Sequence, residues 1–257
     1  MLTVNNCSVR IGKVSIVDDV SFDLRPGQWL MLAGPNGAGK TSLLKAIARS
    51  LKSSGHMLFD GQDIAKMPSR GLARSMAVLQ QSHNLSYAFT VRELVALGRY
   101  AHQSAWSHQD LGGQQKIDEA IELCGLTALK NQNALTLSGG ELQRAFLAQV
   151  FAQDTPLLLL DEPVSHLDLP YQQSIFDLTD QWLKTPGRAV LSVVHDLQLA
   201  RKYGSHGLLM KQGKRLAFGP MDEVFTRDNL KQAFDMDVSA WFDGLHAAWA
   251  DLQTLAD

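Results

Sequence analysis

The chain has 257 residues, of which 45% are hydrophobic and 19% charged, and its formal net charge is −2. That length can bury a substantial core, as one large domain or two small ones, and the balance is that of an ordinary globular protein. No run of Lys or Arg is long enough to suggest nucleic-acid or anionic-lipid binding, no apolar stretch approaches the roughly 20 residues of a membrane span, and the N-terminus has no signal-peptide pattern.

Residues 2–9 alternate as a strand does, and residues 15–24 alternate again through Ile16, Val20, Phe22 and Leu24. Arg25-Pro26-Gly27 makes a turn into a short apolar run, residues 29–33, which reads as a buried strand. Leu43, Leu44, Ala46, Ile47 and Ala48 then recur at helical spacing, predicting a helix to about Leu51. A short strand at 56–59 follows, then a loop with a helical start over 62–73 and a further strand at 75–79, ended by Gln80-Gln81. From Thr90 to Phe151 the pattern is helical. It has apolar faces at Val91, Leu94, Val95 and Leu97, and at Ile117, Ala120, Ile121 and Leu123, with a third helix over 141–153 and a polar loop over 101–113. Strands return at 157–160, 189–194, 207–211 and 215–218, with helices at 171–182 and 196–203, and the tail beyond Met221 is helical. Strands alternating with helices imply a doubly wound α/β core interrupted by a helical insert. Cys7 and Cys124 fall in apolar-patterned segments and are expected as buried free thiols. None of the eight histidines shows metal-ligand spacing, and His102 and His108, in a polar stretch, are expected to be solvated.

Four constellations carry chemistry. Gly34-Pro35-Asn36-Gly37-Ala38-Gly39-Lys40-Thr41-Ser42 fits G-x-x-x-x-G-K-[ST] between a strand and a helix. Glycines there let backbone N–H groups face phosphates, and the helix N-terminus adds roughly half a positive charge. Lys40 can reach β- and γ-phosphates, and the Thr41 hydroxyl can ligate Mg2+. Residues 157–160 are four leucines followed by Asp161-Glu162, a carboxylate pair at the C-terminal end of a strand buried on both faces. Asp161 is placed to hold Mg2+, and Glu162 to polarise an attacking water as general base. Ser138-Gly139-Gly140-Glu141 reads as a second anion cradle at a helix start, or as a plain capping box, and the two are compatible. His195 leaves a strand at Val194 and is placed to meet a γ-phosphate or the water. Gln81, at another strand end, can contact the metal or water.

Together these residues resemble the ATP-binding cassette (ABC) ATPase family, over nearly the whole chain. Leu-Ser-Gly-Gly at 137–140 is the element that separates this family from other P-loop NTPases. The resemblance implies a P-loop NTPase (RecA-like) α/β core, an antiparallel N-terminal β subdomain and an α-helical insert at about 82–152. Residues 1–235 would form the ATPase domain and 236–257 a helical tail. It implies ATP and Mg2+ as ligands, Glu162 as catalytic base with His195 and Gln81 assisting, and Thr41, Gln81 and Asp161 around the metal. Ser165-His166-Leu167-Asp168 matches the family's D-loop. The family works as a head-to-tail dimer, in which Ser138, Gly139, Gly140 and Asp168 of one copy complete the site on the P-loop of the other. Two positions depart from the pattern. Where the family usually has an aromatic residue for adenine, residues 9–13 offer Ile11, with Arg10 beside it, and Val164 replaces the usual Thr after Asp161-Glu162-Pro163.

Two segments, residues 89–99 and 219–238, look like the ATPase subunits of bacterial importers for iron-siderophores, haem and cobalamin. This reading implies polytopic membrane permease subunits docked near residues 81–99, a substrate-binding protein engaged indirectly, and a peripheral place on the cytoplasmic face of the inner membrane. Trp241, Phe242, Trp249 and Leu252 are expected to pack on the core or on a second subunit. The competing readings are a soluble cassette ATPase for cofactor assembly or repair, and an importer ATPase for another solute such as a metal ion. A non-hydrolysing nucleotide switch is disfavoured by Glu162 and His195 occurring together.

Overall fold

Residues 29–33 are all buried and form β3 (Trp29–Ala33), the strand from which the molecule is built outward. The structure is a computed structural model describing residues 1–81, 85, 87–103, 110–165 and 167–253, of which 249–253 are described by backbone alone. In chain order the first elements are β1 (Leu2–Ile11), β2 (Val14–Leu24), β3, α1 (Lys40–Ile47), β4 (Ser54–Phe59), β5 (Gln62–Asp63), α2 (Ser69–Ser75) and β6 (Met76–Leu79). Three helices follow, α3 (Val91–Ala96), α4 (Gly113–Leu123) and α5 (Gly139–Ala152). The chain then returns to alternation with β7 (Leu157–Asp161), α6 (Leu169–Leu183), β8 (Ala189–Val193), α7 (Leu197–Tyr203), β9 (His206–Lys211) and β10 (Lys214–Pro220). It ends in α8 (Met221–Val224), α9 (Arg227–Phe234) and α10 (Val238–Gln253).

Two sheets result. A four-stranded antiparallel sheet has the order β2-β1-β4-β5, and a six-stranded sheet has the order β10-β9-β3-β8-β7-β6. All pairings in the larger sheet are parallel except β9 with β10. Side chains alternate across it as the pleat requires. Leu30 and Leu32 join α1 residues Leu43, Leu44 and Ile47 in a core shared with the smaller sheet. Trp29, Met31 and Ala33 join the opposite core, made with α3–α6 and the last helices. Trp29 stacks on Phe176 at 5.4 Å between ring centroids and donates its indole N–H to Ser192 Oγ at 2.8 Å. The largest core side chain thus buries its one polar atom with a partner.

The register of the larger sheet positions the site. Leu79 pairs with Leu160, Leu160 with Ser192, and Leu32 with Val193. The residues that follow these strands, Gln81, Glu162, Gly34 and His195, therefore emerge side by side along one edge, at the C-terminal ends where parallel sheets bind ligands.

Several local expectations are corrected. The stretch at 62–73 has its helix at the end: Asp63 caps a 3-10 turn, Ile64–Lys66, and Pro68 precedes α2. Proline fixes φ for that entry and cannot continue the preceding turn. Helix α1 stops at Ile47 because Arg49 turns to φ +58° and its guanidinium donates to the carbonyls of Ile64 and Met67. The expected loop from 101 begins inside a 3-10 turn, Leu97–His102. His102 is half-buried with a ring nitrogen 2.8 Å from Gln153 O, and burial lowers its pKa, so it is no solvated side chain. The nearby ion pair of Arg99 with Asp110 draws this segment down onto α5. His108 lies outside the described residues. Phe242 packs against the core, while Trp241 is 53% exposed, so the core receives only one of that pair. The side chains of Trp249 and Leu252 lie outside the described residues. Cys7 and Cys124 are buried free thiols, and burial pushes the Cys7 pKa up to about 11.

Candidate functional site

Residues 34–42 wrap the N-terminus of α1. Gly34 (φ +145°) and Gly39 (φ +94°) both take backbone angles that favour glycine. A Cβ on Gly34 would lie 2.1 Å from Met210 O, and one on Gly39 would lie 2.5 Å from Ile16 O, so the loop closes against its neighbours only without side chains there. Asn36, Gly37, Ala38, Gly39, Lys40, Thr41 and Ser42 line a cleft of about 180 Å3 together with Ile16, Glu162 and His195. Pro35 contributes its carbonyl to the loop's own bonding: Lys40 Nζ donates to Gly34 O at 2.8 Å and to Pro35 O at 3.0 Å. Lys40 is only 5% exposed, and burial holds its ammonium below the usual lysine range, against the pull of Glu162 and Asp161. The lysine is thus a buried cation held in place by two carbonyls, in the position from which it could donate to an anion in the cleft.

Thr41 Oγ1 donates to Asp161 Oδ1 at 2.8 Å, tying the first turn of α1 to the end of β7. Asp161 is 3% exposed, and its pKa is raised mainly by burial, with Glu162 adding to the shift and the Thr41 bond opposing it. These two oxygens suit a hard cation. Among the described residues no group of three or more His, Cys, Asp or Glu could hold a metal, so a cation here takes most of its shell from other oxygens.

Glu162 sits at φ +50° just past the strand, and its N–H donates to Val193 O at 3.2 Å. The two carboxylates have different partners: Asp161 takes the Thr41 hydroxyl, and Glu162 takes three others. Gln81 Nε2 donates to Glu162 Oε2 at 2.6 Å, Ser165 Oγ donates to the same oxygen at 2.9 Å, and His195 Nε2 lies 2.6 Å from Oε1. A carboxylate only accepts, so the His195 proton is on Nε2.

Ser138 lies elsewhere. It is the exposed N-cap of α5, and the capping box with Glu141 is complete, with Ser138 Oγ 2.7 Å from Glu141 Oε2. Gly139 is exposed and Gly140 buried, where a Cβ would meet the Tyr171 ring at 2.4 to 2.6 Å. Asp168 is the exposed N-cap of α6. None of these four lines the P-loop cleft, and His166 lies outside the described residues. Ile11 is 55% exposed at the end of β1, whereas Ile16 lines the cleft. Sequence reasoning missed Ile16 as a site residue, because Gly39 reaches it only through the packing of α1 against the smaller sheet. The contact of Ser165 with Glu162 and that of Tyr171 with Gly140 were also out of reach of spacing alone.

A family model described as ABC transporter matches residues 17–165. The hemin import ATP-binding protein HmuV of Shewanella denitrificans is 39% identical over 243 residues, covering 92% of this chain and 94% of its own. The iron(3+)-hydroxamate import ATP-binding protein FhuC of Bacillus subtilis is 36% identical, covering 92% of this chain and 88% of its own. Ferric enterobactin transport ATP-binding protein FepC of Escherichia coli is 33% identical, covering 88% and 83%. Among solved structures, an ATP binding subunit of an ABC transporter superimposes with a TM-score of 0.77 at 20% identity, over 96% of this chain and 99% of that one. A dimeric post-hydrolysis ATP-binding cassette, MJ0796, gives 0.74 at 23% identity, over 86% and 99%. These two show likeness of fold.

Proposed function

This chain belongs to the ABC transporter family, as an ATP-binding and ATP-hydrolysing cassette, and we propose that it powers import of a large iron chelate, haem or a siderophore. The observation that carries the import reading is the 39% identity, over 92% of the chain, to a hemin import ATP-binding protein. The hydroxamate and enterobactin relatives support the same solute class. On this reading residues 1–235 are the ATPase unit, with its helical insert at about 82–152, and 236–257 are a tail. Among the described residues no helix is long and apolar enough to cross a membrane. On the reading that follows from the import ATP-binding relatives, the chain works as a peripheral subunit on the cytoplasmic face, bound to separate polytopic permeases and engaging a substrate-binding protein through them.

The residues then take these roles. Backbone N–H groups of 37–42, the α1 N-terminus and Lys40 bind the β- and γ-phosphates of ATP. Thr41 and Asp161 supply oxygens to Mg2+, and the 2.8 Å spacing of those two side chains fits one hard cation, while Gln81, whose amide is on Glu162, would have to leave that bond to reach it. Bound there, Mg2+ neutralises charge on the phosphates. Glu162 accepts a proton from the attacking water, and His195 orients its carboxylate and faces the γ-phosphate. Ser138, Gly139, Gly140 and Asp168 cap the nucleotide held by the P-loop of a second copy, which is why they stand apart from the cleft of their own chain.

Two arms test this reading. Glu162→Gln binds ATP and dimerises while hydrolysis falls at least about a hundredfold; turnover at the wild-type rate removes Glu162 from its role. Detergent extracts yield the chain bound to a polytopic membrane protein, and that complex takes labelled haem or a ferric siderophore into vesicles with ATP. A chain recovered free of any membrane protein, yet active, supports the soluble ATPase instead.

A further inference from the structure

The Glu162 carboxylate accepts three side-chain hydrogen bonds, and the function proposed above uses only two of the donors. Gln81 and Ser165 share Oε2, and His195 takes Oε1. The donors differ in how they are held. Gln81 is exposed and arrives from 81 residues away. The His195 side chain is 44% exposed on a separate strand end. Ser165 is half-buried, and its own N–H donates to Glu162 O at 3.2 Å. The segment 162–165 is therefore a closed turn joined twice, once through backbone and once through side chain. It starts at the left-handed φ of Glu162. A serine hydroxyl has a single short torsion between backbone and oxygen, so its place follows from the turn itself.

We propose that Ser165 is a positioning residue for Glu162, holding the Oε2 edge of the carboxylate so that the base presents a fixed lone pair to the attacking water. A carboxylate offers about four lone-pair sites, and three protein donors leave one. Which one is left depends on the donor that cannot move. The proposal rests on Glu162 acting as the base.

The test compares Ser165→Ala, Ser165→Thr and Glu162→Gln in the full-length chain within its transport complex. Ser165→Ala lowers kcat about tenfold, the effect of one hydrogen bond to a charged group. KM for ATP and the Kd for mant-ATP stay within about twofold, because Ser165 has no contact with the phosphate cradle. Ser165→Thr, which keeps the hydroxyl, restores most of the rate. In a Glu162→Gln background, Ser165→Ala changes the single-turnover rate by less than about twofold, since the two substitutions act on one unit. Equal losses in both backgrounds, or a thermal midpoint that falls in proportion to the rate, overturn the proposal in favour of a structural role. An inactive Glu162→Gln beside a fully active Ser165→Ala overturns this proposal alone. An active Glu162→Gln overturns the assignment of the base and this proposal with it.

Discussion

The Thr41 hydroxyl reaches the Asp161 carboxylate at 2.8 Å, and this one bond closes 120 residues of chain between the P-loop helix and β7. It is a partial remedy, because burial, with the neighbouring Glu162 charge adding to it, pushes the Asp161 pKa up. The folded state therefore binds the Asp161 proton more tightly than the unfolded chain, whose value is 3.8. Stability falls as pH rises through the window above 3.8 and stays lowered at neutrality. Asp161→Asn keeps an acceptor for Thr41 and removes the buried charge. It raises the thermal midpoint by about 2–4 °C, corresponding to roughly 1 kcal/mol in a chain of this size. ATP hydrolysis is lost in the same variant. Differential scanning fluorimetry at neutral pH and in acid reads the gain and its decline.

The ion pair of Arg99 with Asp110 has the opposite sign. Nε and Nη2 of Arg99 donate to the two carboxylate oxygens at 2.7 and 3.0 Å, and Nη1 donates to Ala152 O at 2.9 Å. The Arg99 hydrogen bonds hold the Asp110 carboxyl below its usual range. The stabilisation is therefore complete at pH values above 3.8 and is lost as pH falls below it. Asp110→Ala leaves the buried guanidinium with, among the described residues, only the Ala152 carbonyl and costs about 3 kcal/mol at neutral pH. Urea midpoints of wild type and variant differ by a constant amount near neutrality and converge in strong acid.

The strands that frame the site were legible because they are buried on both faces and read as unbroken apolar runs, Trp29–Ala33 above all. Gly34, Asp161 and His195 were legible because each follows such a run directly, and Lys40 because it holds a fixed place in G-x-x-x-x-G-K-[ST]. The boundaries that failed are set by distant partners. Arg49 ends α1 by bonding to carbonyls at 64 and 67, and His102 is covered by Gln153. No local pattern encodes either contact. Ile16 escaped for a related reason: alternation identifies its strand, but the neighbouring Gly39 is brought to it by the packing of α1 between the two sheets.

The standing apart of Ser138 from the P-loop cleft leads to a third prediction. Ser138 is exposed and fully engaged in its capping box, so a long cationic side chain fits there without disturbing the core. Ser138→Arg costs about 1 kcal/mol through the lost cap. It binds mant-ATP as wild type does, and it blocks the closed dimer, so ATPase activity falls at least about tenfold. Size-exclusion chromatography in the Glu162→Gln background separates closed dimer from monomer. Unchanged hydrolysis in Ser138→Arg removes the composite site.

Gly140 makes the last prediction, because its constraint is a neighbour and not its backbone. It is the second residue of α5, and an added Cβ would fall 2.4 Å from Cδ1 and 2.6 Å from Cε1 of Tyr171. Tyr171 belongs to the first turn of α6, directly after Asp168, and the Arg144 guanidinium lies 5.8 Å from its ring centroid. The starts of α5 and α6 are thus held in contact through one aromatic ring. Gly140→Ala pushes them apart and lowers ATPase activity about tenfold or more, while nucleotide binding by the P-loop is retained. If the ring is the cause, trimming it relieves the clash: Gly140→Ala with Tyr171→Ala is more active than Gly140→Ala alone, although Tyr171→Ala by itself is less active than wild type. Such a sign change is the mark of two residues in direct contact. A double variant no better than the single one assigns the role of Gly140 to the nucleotide side of the helix end instead.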